Sequence, residues 1–207
     1  PWAGATQSWE SAHHWDRHFK LESLGLPLGL MLARVPGFGR ALSGHLGELG
    51  HVALWGVQVR ARAEGRVRPG FGGSPDIRYD MTPEDLRTLQ EGMRVLAEMF
   101  FAAGAREVWP GIHGLPERLT SPDDVSVFTE GTLDPRRVHM IATHLFGTCR
   151  MGASSDGAVV DHGFRTHAMD RCWVVDSSVF PTNLGVNPQH TILAMARVAG
   201  HRIADAA

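Results

Sequence analysis

The chain has 207 residues, of which 43% are hydrophobic and 20% are charged, and its formal net charge is −2. This balance is typical of a globular protein with one large or two small domains, and it excludes a disordered tail, a collagen-like fibre and a coiled coil. The lack of a basic excess argues against nucleic acid as a partner. The sequence has no apolar run of the roughly 18 residues that a membrane-spanning helix needs. Two cysteines cannot build a disulfide framework, which leaves a reducing compartment as the default.

The first fifty residues are rich in tryptophan, histidine and glycine and show the sustained period of neither a helix nor a strand. They contain a glycine-rich apolar stretch, 25–50, for which two interpretations stay open. It is either a lid or channel wall, or a loop that covers the core. His13, His14 and His18 include a pair spaced for one helix face, but we interpret them as a surface cluster and predict no metal site.

The middle of the chain carries clearer signals of secondary structure. Residues alternate in polarity from Val57, which predicts a half-buried strand, and 76–79 predict a short returning strand. Thr82, with a proline and two acids after it, predicts a helix start, and the apolar face of this helix continues until Gly104. Further predicted elements are strands over 106–109, 137–147 and 171–176, a short helix over 125–130, and a helix that opens at 187–188. Strands and helices mix without regular alternation, so the predicted fold class is α+β.

One histidine, His144, lies near the end of the predicted strand 137–147 and is followed by Gly147 and Gly152. Glycines allow a backbone to approach a flat ligand closely, so the position suits a site that faces such a ligand. The alternative is a core histidine whose ring is hydrogen-bonded to a carbonyl.

Asn187 and Asp176 each allow two interpretations. Asn187 precedes Pro188 at a predicted helix start, so it either caps the helix or lies where the helix N-terminus offers partial positive charge to an anion. Asp176 closes the predicted strand 171–176, where its carboxylate either contacts ribose hydroxyls or forms a turn.

Three motifs follow one another in the last third of the chain. They are H-x2-G-T-C-R-M-G from His144, V-V-D-S-S-V-F-P-T from Val174, and G-V-N-P-x2-T-I from Gly185. In this order they closely resemble the C-terminal signature of the glucose–methanol–choline (GMC) flavin oxidoreductases. The strong resemblance covers about residues 138–205, and residues 52–109 fit the substrate domain of that family more loosely.

The resemblance implies FAD as the cofactor and the transfer of a hydride from an alcohol carbon. His144 is expected at the substrate oxygen as general base. Asn187 is expected at the second position of the catalytic pair, which holds His or Asn in different members of the family. The expected FAD-binding residues are Asp176 and Ser177, along the ribityl or pyrophosphate part, and Gly185, Val186 and Pro188, at the isoalloxazine ring.

The same resemblance implies a division into domains. Residues 1–150 are predicted to form a substrate-binding domain, irregular at its N-terminal part, and 151–207 the segment that returns to an FAD-binding α/β domain. The G-x-G-x-x-G fingerprint of the family does not occur in the sequence. We therefore expect a missing N-terminal FAD-binding region, and weak FAD binding by these residues alone. The apolar segment 24–33 favours a hydrophobic alcohol as substrate.

Two other functions stay open at this point. One is a non-catalytic, cofactor-free α+β binding module, and the other is a lyase relative that keeps the flavin without redox work. A nucleophilic role for Cys149 is disfavoured, because an extended stretch separates it from His144 and nothing in the sequence orients that histidine as its base.

Overall fold

The computed structural model describes residues 9–206. They form two compact units, each built from two stretches of the chain. The first unit comprises residues 9–59 and 81–140, and the second comprises 60–80 and 141–206. The predicted functional domains, 1–150 and 151–207, stay a prediction.

The first unit contains a three-stranded antiparallel sheet. Its strands are β1 (Glu10–Ser11), β2 (Phe19–Ser23) and β3 (Trp55–Val59), in the order β1-β2-β3. The strand predicted from the alternation at Val57 is confirmed, although it ends at Val59. The alternation in β2, with Phe19 and Leu21 separated by Lys20, is too short to have distinguished a strand from a loop. The antiparallel sheet with helices agrees with the α+β prediction.

The long helix of the first unit, α3 (Pro83–Ala102), packs on this sheet. It begins with the predicted cap, because the Thr82 hydroxyl accepts a hydrogen bond from the Asp85 backbone N–H at 3.1 Å. Gly92 sets the close approach of helix and sheet, since a Cβ at this position would overlap Val57 Cγ1. The core around α3 consists of Leu89, Ala97, Ile112, Leu119, Val125, Phe128 and Val138.

The region expected to be irregular contains short helices instead. These are α1 (Leu28–Leu32) and α2 (Arg40–Leu46), together with a 3-10 turn at Leu49–His51. Only His45 is buried among residues 24–51. A further short helix expected over 125–130 is a 3-10 helix at Pro122–Phe128, capped by the Ser121 side chain as its sequence predicts.

Three predicted strands are wrong. The segments 106–109, 137–147 and 171–176 contribute only the isolated bridges Val108↔Leu119, Ile112↔Val138 and Arg165↔Trp173. Their apolar residues differ in environment. Val138 packs in the core around α3, whereas Ile141 is 59% exposed. A run of apolar residues indicates that they are buried in a core or an interface. It does not by itself show that a second strand is available to pair with them.

The second unit combines a hairpin with the C-terminal helix. The hairpin pairs β4 (Gly65–Pro69) with β5 (Pro75–Tyr79), which confirms the returning strand predicted at 76–79. The helix α4 (Gln189–Ala206) is also confirmed, and it packs on the core through Ala199 and Met195. The other buried residues of this core are Val160, Phe164 and Val179. No helix within residues 9–206 is long and apolar enough to cross a membrane.

Candidate active site in the second unit

Two of the three motif segments lie side by side in the second unit. The backbone N–H groups of Gly147 and Cys149 both donate to the carbonyl of Ser178, at 3.1 and 3.0 Å. The Met151 N–H donates to the Val179 carbonyl at 2.9 Å. The segment that follows His144 therefore runs along residues 178–179, and the fold brings the first and second motifs together.

His144 occupies a bend rather than the end of a strand. Its φ is 56°, a left-handed conformation that is uncommon for a residue with a side chain and unfavourable by about 1–2 kcal/mol. Such conformations persist where the surroundings fix them, and they cluster at functional sites. His144 is half-buried. Gly147 follows with φ of 85°, which a glycine adopts without strain.

Asp176 and Ser177 both hold the local backbone. The Asp176 Oδ1 accepts a hydrogen bond from the Ser178 N–H at 2.7 Å and so caps the 3-10 turn Ser177–Val179. The Ser177 hydroxyl donates to the Leu145 carbonyl at 3.3 Å, next to His144. The turn-forming interpretation of Asp176 is thus observed. Its carboxylate is exposed, and the Oδ2 atom takes no part in that bond.

The third motif forms the loop that leads into α4. Gly185 is buried with φ of 70°, Val186 is 39% exposed, and Pro188 is buried. The Pro188 carbonyl accepts a hydrogen bond from the Ile192 N–H at 2.8 Å, so the helix begins at Gln189, one residue later than predicted. This register places half-buried Asn187 two residues before the first residue of α4.

One residue of this region was missed in the sequence. Asn183 accepts a hydrogen bond from the Gly185 N–H at 2.7 Å and donates to the Ala61 carbonyl at 3.3 Å. The signal was present, because an Asn two residues before a Gly is a common side-chain-bonded turn. No sequence pattern predicts the bond to Ala61, since it joins residues that are distant along the chain.

The N-terminal histidines do not assemble into a binding site. His14 stacks on Phe19 with 5.0 Å between ring centroids, and burial together with the charge of Arg17 lowers its pKa. His18 adopts a left-handed conformation after the 3-10 turn Trp15–Arg17, so one helix face does not carry the cluster. Within the described part of the chain, no three His, Cys, Asp or Glu side chains come close enough to hold a metal.

A family model supports the resemblance seen in the motifs. The model described as GMC oxidoreductase matches residues 61–196, which include the second unit's three motif segments and α3. The match therefore extends well beyond the motifs themselves.

Curated relatives agree with this match. A GMC-type oxidoreductase of Mycobacterium tuberculosis is 33% identical over 197 residues, which is 94% of this chain and 31% of the relative. One of Sinorhizobium fredii is 39% identical over 150 residues, 72% of this chain and 29% of the relative. A long-chain-alcohol oxidase of Arabidopsis thaliana is 32% identical over 138 residues, 62% of this chain and 19% of the relative. The chain thus spans less than a third of the length of these relatives.

A solved structure is also similar. Pyridoxine 4-oxidase from Mesorbium loti has 25% identity and a TM-score of 0.43, over 72% of this chain and 29% of that one.

Proposed function

Since the chain belongs to the GMC oxidoreductase family, we propose that it forms the C-terminal part of an FAD-dependent enzyme that oxidises the CH–OH group of an alcohol. His144 is the general base in this proposal, and Asn187 is a hydrogen-bond donor to the substrate oxygen. The observation that supports the site is the hydrogen-bonded pairing of the segment after His144 with residues 178–179. That pairing holds the segment directly after the bend at His144 against residues 178–179 of the second unit.

His144 supplies the proton acceptor. An alcohol hydroxyl is a very weak acid, so the carbon releases a hydride more easily once the oxygen shares or loses its proton. An imidazole nitrogen accepts that proton, because this side chain ordinarily titrates near neutral pH. A positioned base of this kind accelerates a reaction by about 10²–10⁴. The half-burial of His144 fits the role, since its ring is neither enclosed in the core nor fully solvated.

Asn187 supplies a neutral donor. Its side-chain N–H groups can bond the substrate oxygen as negative charge develops there, and the amide does not itself change charge. The residue lies two positions before α4, whose first backbone N–H groups lack intrahelical acceptors and carry partial positive charge. Both features favour an oxyanion at this end of the helix.

The loop before α4 fits the isoalloxazine end of FAD. Buried Gly185 turns the backbone in a left-handed conformation, and the exposed Val186 and the α4 N-terminus, which can face a flat ring, follow it. When bound, FAD supplies the acceptor for the two electrons that leave the alcohol carbon. We propose that Asp176 and Ser177 lie along its ribityl or pyrophosphate part. Asp176 would do so through the carboxylate oxygen outside the turn.

The ADP half of FAD requires residues outside this sequence, which lacks the glycine fingerprint. We propose that a further FAD-binding region of the protein supplies them. The exposed apolar side chains of α4, Leu193 at 61% and Val198 at 47%, suit a contact with such a region.

The substrate class is a hydrophobic alcohol in this proposal. Leu28 and Leu30 of α1, within the apolar segment 24–33, are 52% and 46% exposed rather than packed in the core. The long-chain-alcohol oxidase among the relatives is consistent with an apolar substrate.

The decisive experiment replaces His144 in the full-length protein. We expect His144→Ala to lower kcat by at least 100-fold while flavin absorbance per protein is retained. His201→Ala serves as the matched control, because it removes an exposed histidine of α4 outside the site. Normal turnover in His144→Ala would exclude the proposed base. A wild-type flavin that alcohols fail to bleach without oxygen would instead support a lyase relative.

A further inference from the structure

Asn183 joins two parts of the second unit through one amide group. Its Oδ1 accepts from the Gly185 N–H at 2.7 Å, which closes a tight turn within the third motif. Its Nδ2 donates to the Ala61 carbonyl at 3.3 Å, on the segment that leads to β4. The side chain of Asn183 therefore joins the loop that carries Asn187 to a distant part of the chain.

The two partners determine which way round this amide is placed. The Gly185 N–H requires an acceptor and the Ala61 carbonyl requires a donor, so a flipped amide would set like groups against each other at both ends. Asparagine is the shortest side chain that presents a donor and an acceptor in one plane. Aspartate keeps only the acceptor at neutral pH, and alanine keeps neither.

Because of the turn at Gly185, the hydrogen bonds of Asn183 affect the position of Asn187. Gly185 has φ of 70° and lies at a bend in the chain, two residues before Asn187. Without the side-chain bond the Gly185 N–H would lose the acceptor that fixes this bend, and glycine gains the most freedom when released. The direction in which Asn187 leaves the turn therefore depends on Asn183.

We infer that Asn183 is a positioning residue of the proposed active site, which aligns Asn187 by binding the 183–187 loop to the Ala61 carbonyl. The inference rests on the proposed function, because Asn187 needs an aligned position only if it bonds a substrate oxygen. A displacement of about 1 Å in a positioned group lowers a rate by about 10²-fold. The effect falls on kcat more than on KM, since the bond to the oxygen strengthens as charge develops.

The test compares two substitutions with a matched control in the flavin-containing full-length enzyme. Asn183→Ala removes both hydrogen bonds, and Asn183→Asp keeps the acceptor for Gly185 but sets a carboxylate against the Ala61 carbonyl. Asp161→Ala is the control, because Asp161 makes an equivalent turn bond to the Gly163 N–H at 2.7 Å in the same unit. Kinetics are measured per bound flavin, and hydrogen exchange is measured at residues 185–189.

We expect Asn183→Ala to lower kcat by about 10- to 100-fold with KM changed less than about 3-fold. Asn183→Asp should also lower kcat, because its carboxylate repels the Ala61 carbonyl, and the Asp161→Ala control should retain the parent kcat. Faster exchange at residues 185–189 should appear in Asn183→Ala but not in the control.

Parent-like kcat and parent-like exchange in Asn183→Ala would overturn the inference. Equal loss of kcat in Asp161→Ala would overturn it as well, because the effect would then belong to the unit as a whole. The exchange measurement does not depend on turnover. An active His144→Ala variant would refute the proposed function, whereas an inactive His144→Ala beside a normal Asn183→Ala would refute only the positioning role.

Discussion

Replacing Lys20 in the middle of β2 tests how the first unit holds a buried charge. The Lys20 side chain is 1% exposed, and its Nζ donates to Glu10 Oε2 at 2.7 Å and lies 2.8 Å from Glu22 Oε2. Burial acts to lower the pKa of the ammonium, but the hydrogen bonds that it donates to these two carboxylates outweigh the burial and the pKa is raised. The ion cluster therefore stabilises the charged form of Lys20 in the fold.

The size of the expected loss in stability follows from how exposed each carboxylate partner of Lys20 is. Lys20→Met leaves the Glu22 carboxylate, 11% exposed, without its cation, and removing one member of a buried pair lowers stability by about 3–5 kcal/mol. Glu10 is 56% exposed, so its part of the loss is about 0–1 kcal/mol. We therefore expect the variant to lose about 3–5 kcal/mol, mainly through Glu22.

Urea unfolding followed by tryptophan fluorescence measures this loss, with Trp55 reporting on β3 beside the cluster. The double variant Lys20→Met with Glu22→Gln should recover part of the stability, because no unpaired buried charge is left. The raised pKa means that the contribution of Lys20 is complete below the ordinary value of 10.5 and disappears as pH rises through the folded value. A single variant as stable as the parent at neutral pH would refute this account of the cluster.

Other predictions concern the packing of α3 and a surface carboxylate. Gly92→Ala should lower stability by about 1–3 kcal/mol, since its Cβ would meet Val57. Gly44→Ala in α2, where a Cβ would have no atom within 4 Å, should raise stability by up to about 1 kcal/mol. Equal shifts in melting temperature for the two variants would contradict this difference. Hydrogen bonds from the Arg136 guanidinium and backbone N–H hold the pKa of Asp134 at about 2, so its stabilising contribution is present above the unfolded value and lost as pH falls towards 2. Arg136→Ala should raise that pKa towards 3.8, and an unchanged carboxyl titration by NMR would show that Arg136 is not the cause.

The parts of the fold that the sequence predicted correctly are those with local causes. The cap at Thr82 and the face of α3 need only residues within one helix, and the hairpin strand at 76–79 needs only its neighbour. The predicted strands 137–147 and 171–176 failed because a strand depends on a partner, and the chain around them supplies only single bridges. No local pattern marks Lys20 as buried, because its two carboxylate partners come from β1 and β2 and this pairing follows from the sheet register.

The candidate site shows the same division between local and distant causes. The motif order predicted that His144, Asp176 and Asn187 belong to one site, and the pairing of the first two segments is consistent with that prediction. The sequence did not predict the left-handed backbone at His144, because no local residue pattern requires it. Nor did it predict the bond from Asn183 to Ala61, which needs the tertiary fold.

The candidate site residues lie outside the regular helices and strands, and this location explains how they are held. A left-handed His144 is unfavourable by about 1–2 kcal/mol, so an isolated peptide would relax to another conformation. The bonds from Gly147 and Cys149 to Ser178, and from Ser177 to Leu145, fix the chain directly after the bend. The second core anchors those bonds, because Val179 is 1% exposed and packs with α4 through Ala199. The stability of that core thus supports the strained backbone on which the proposed base depends.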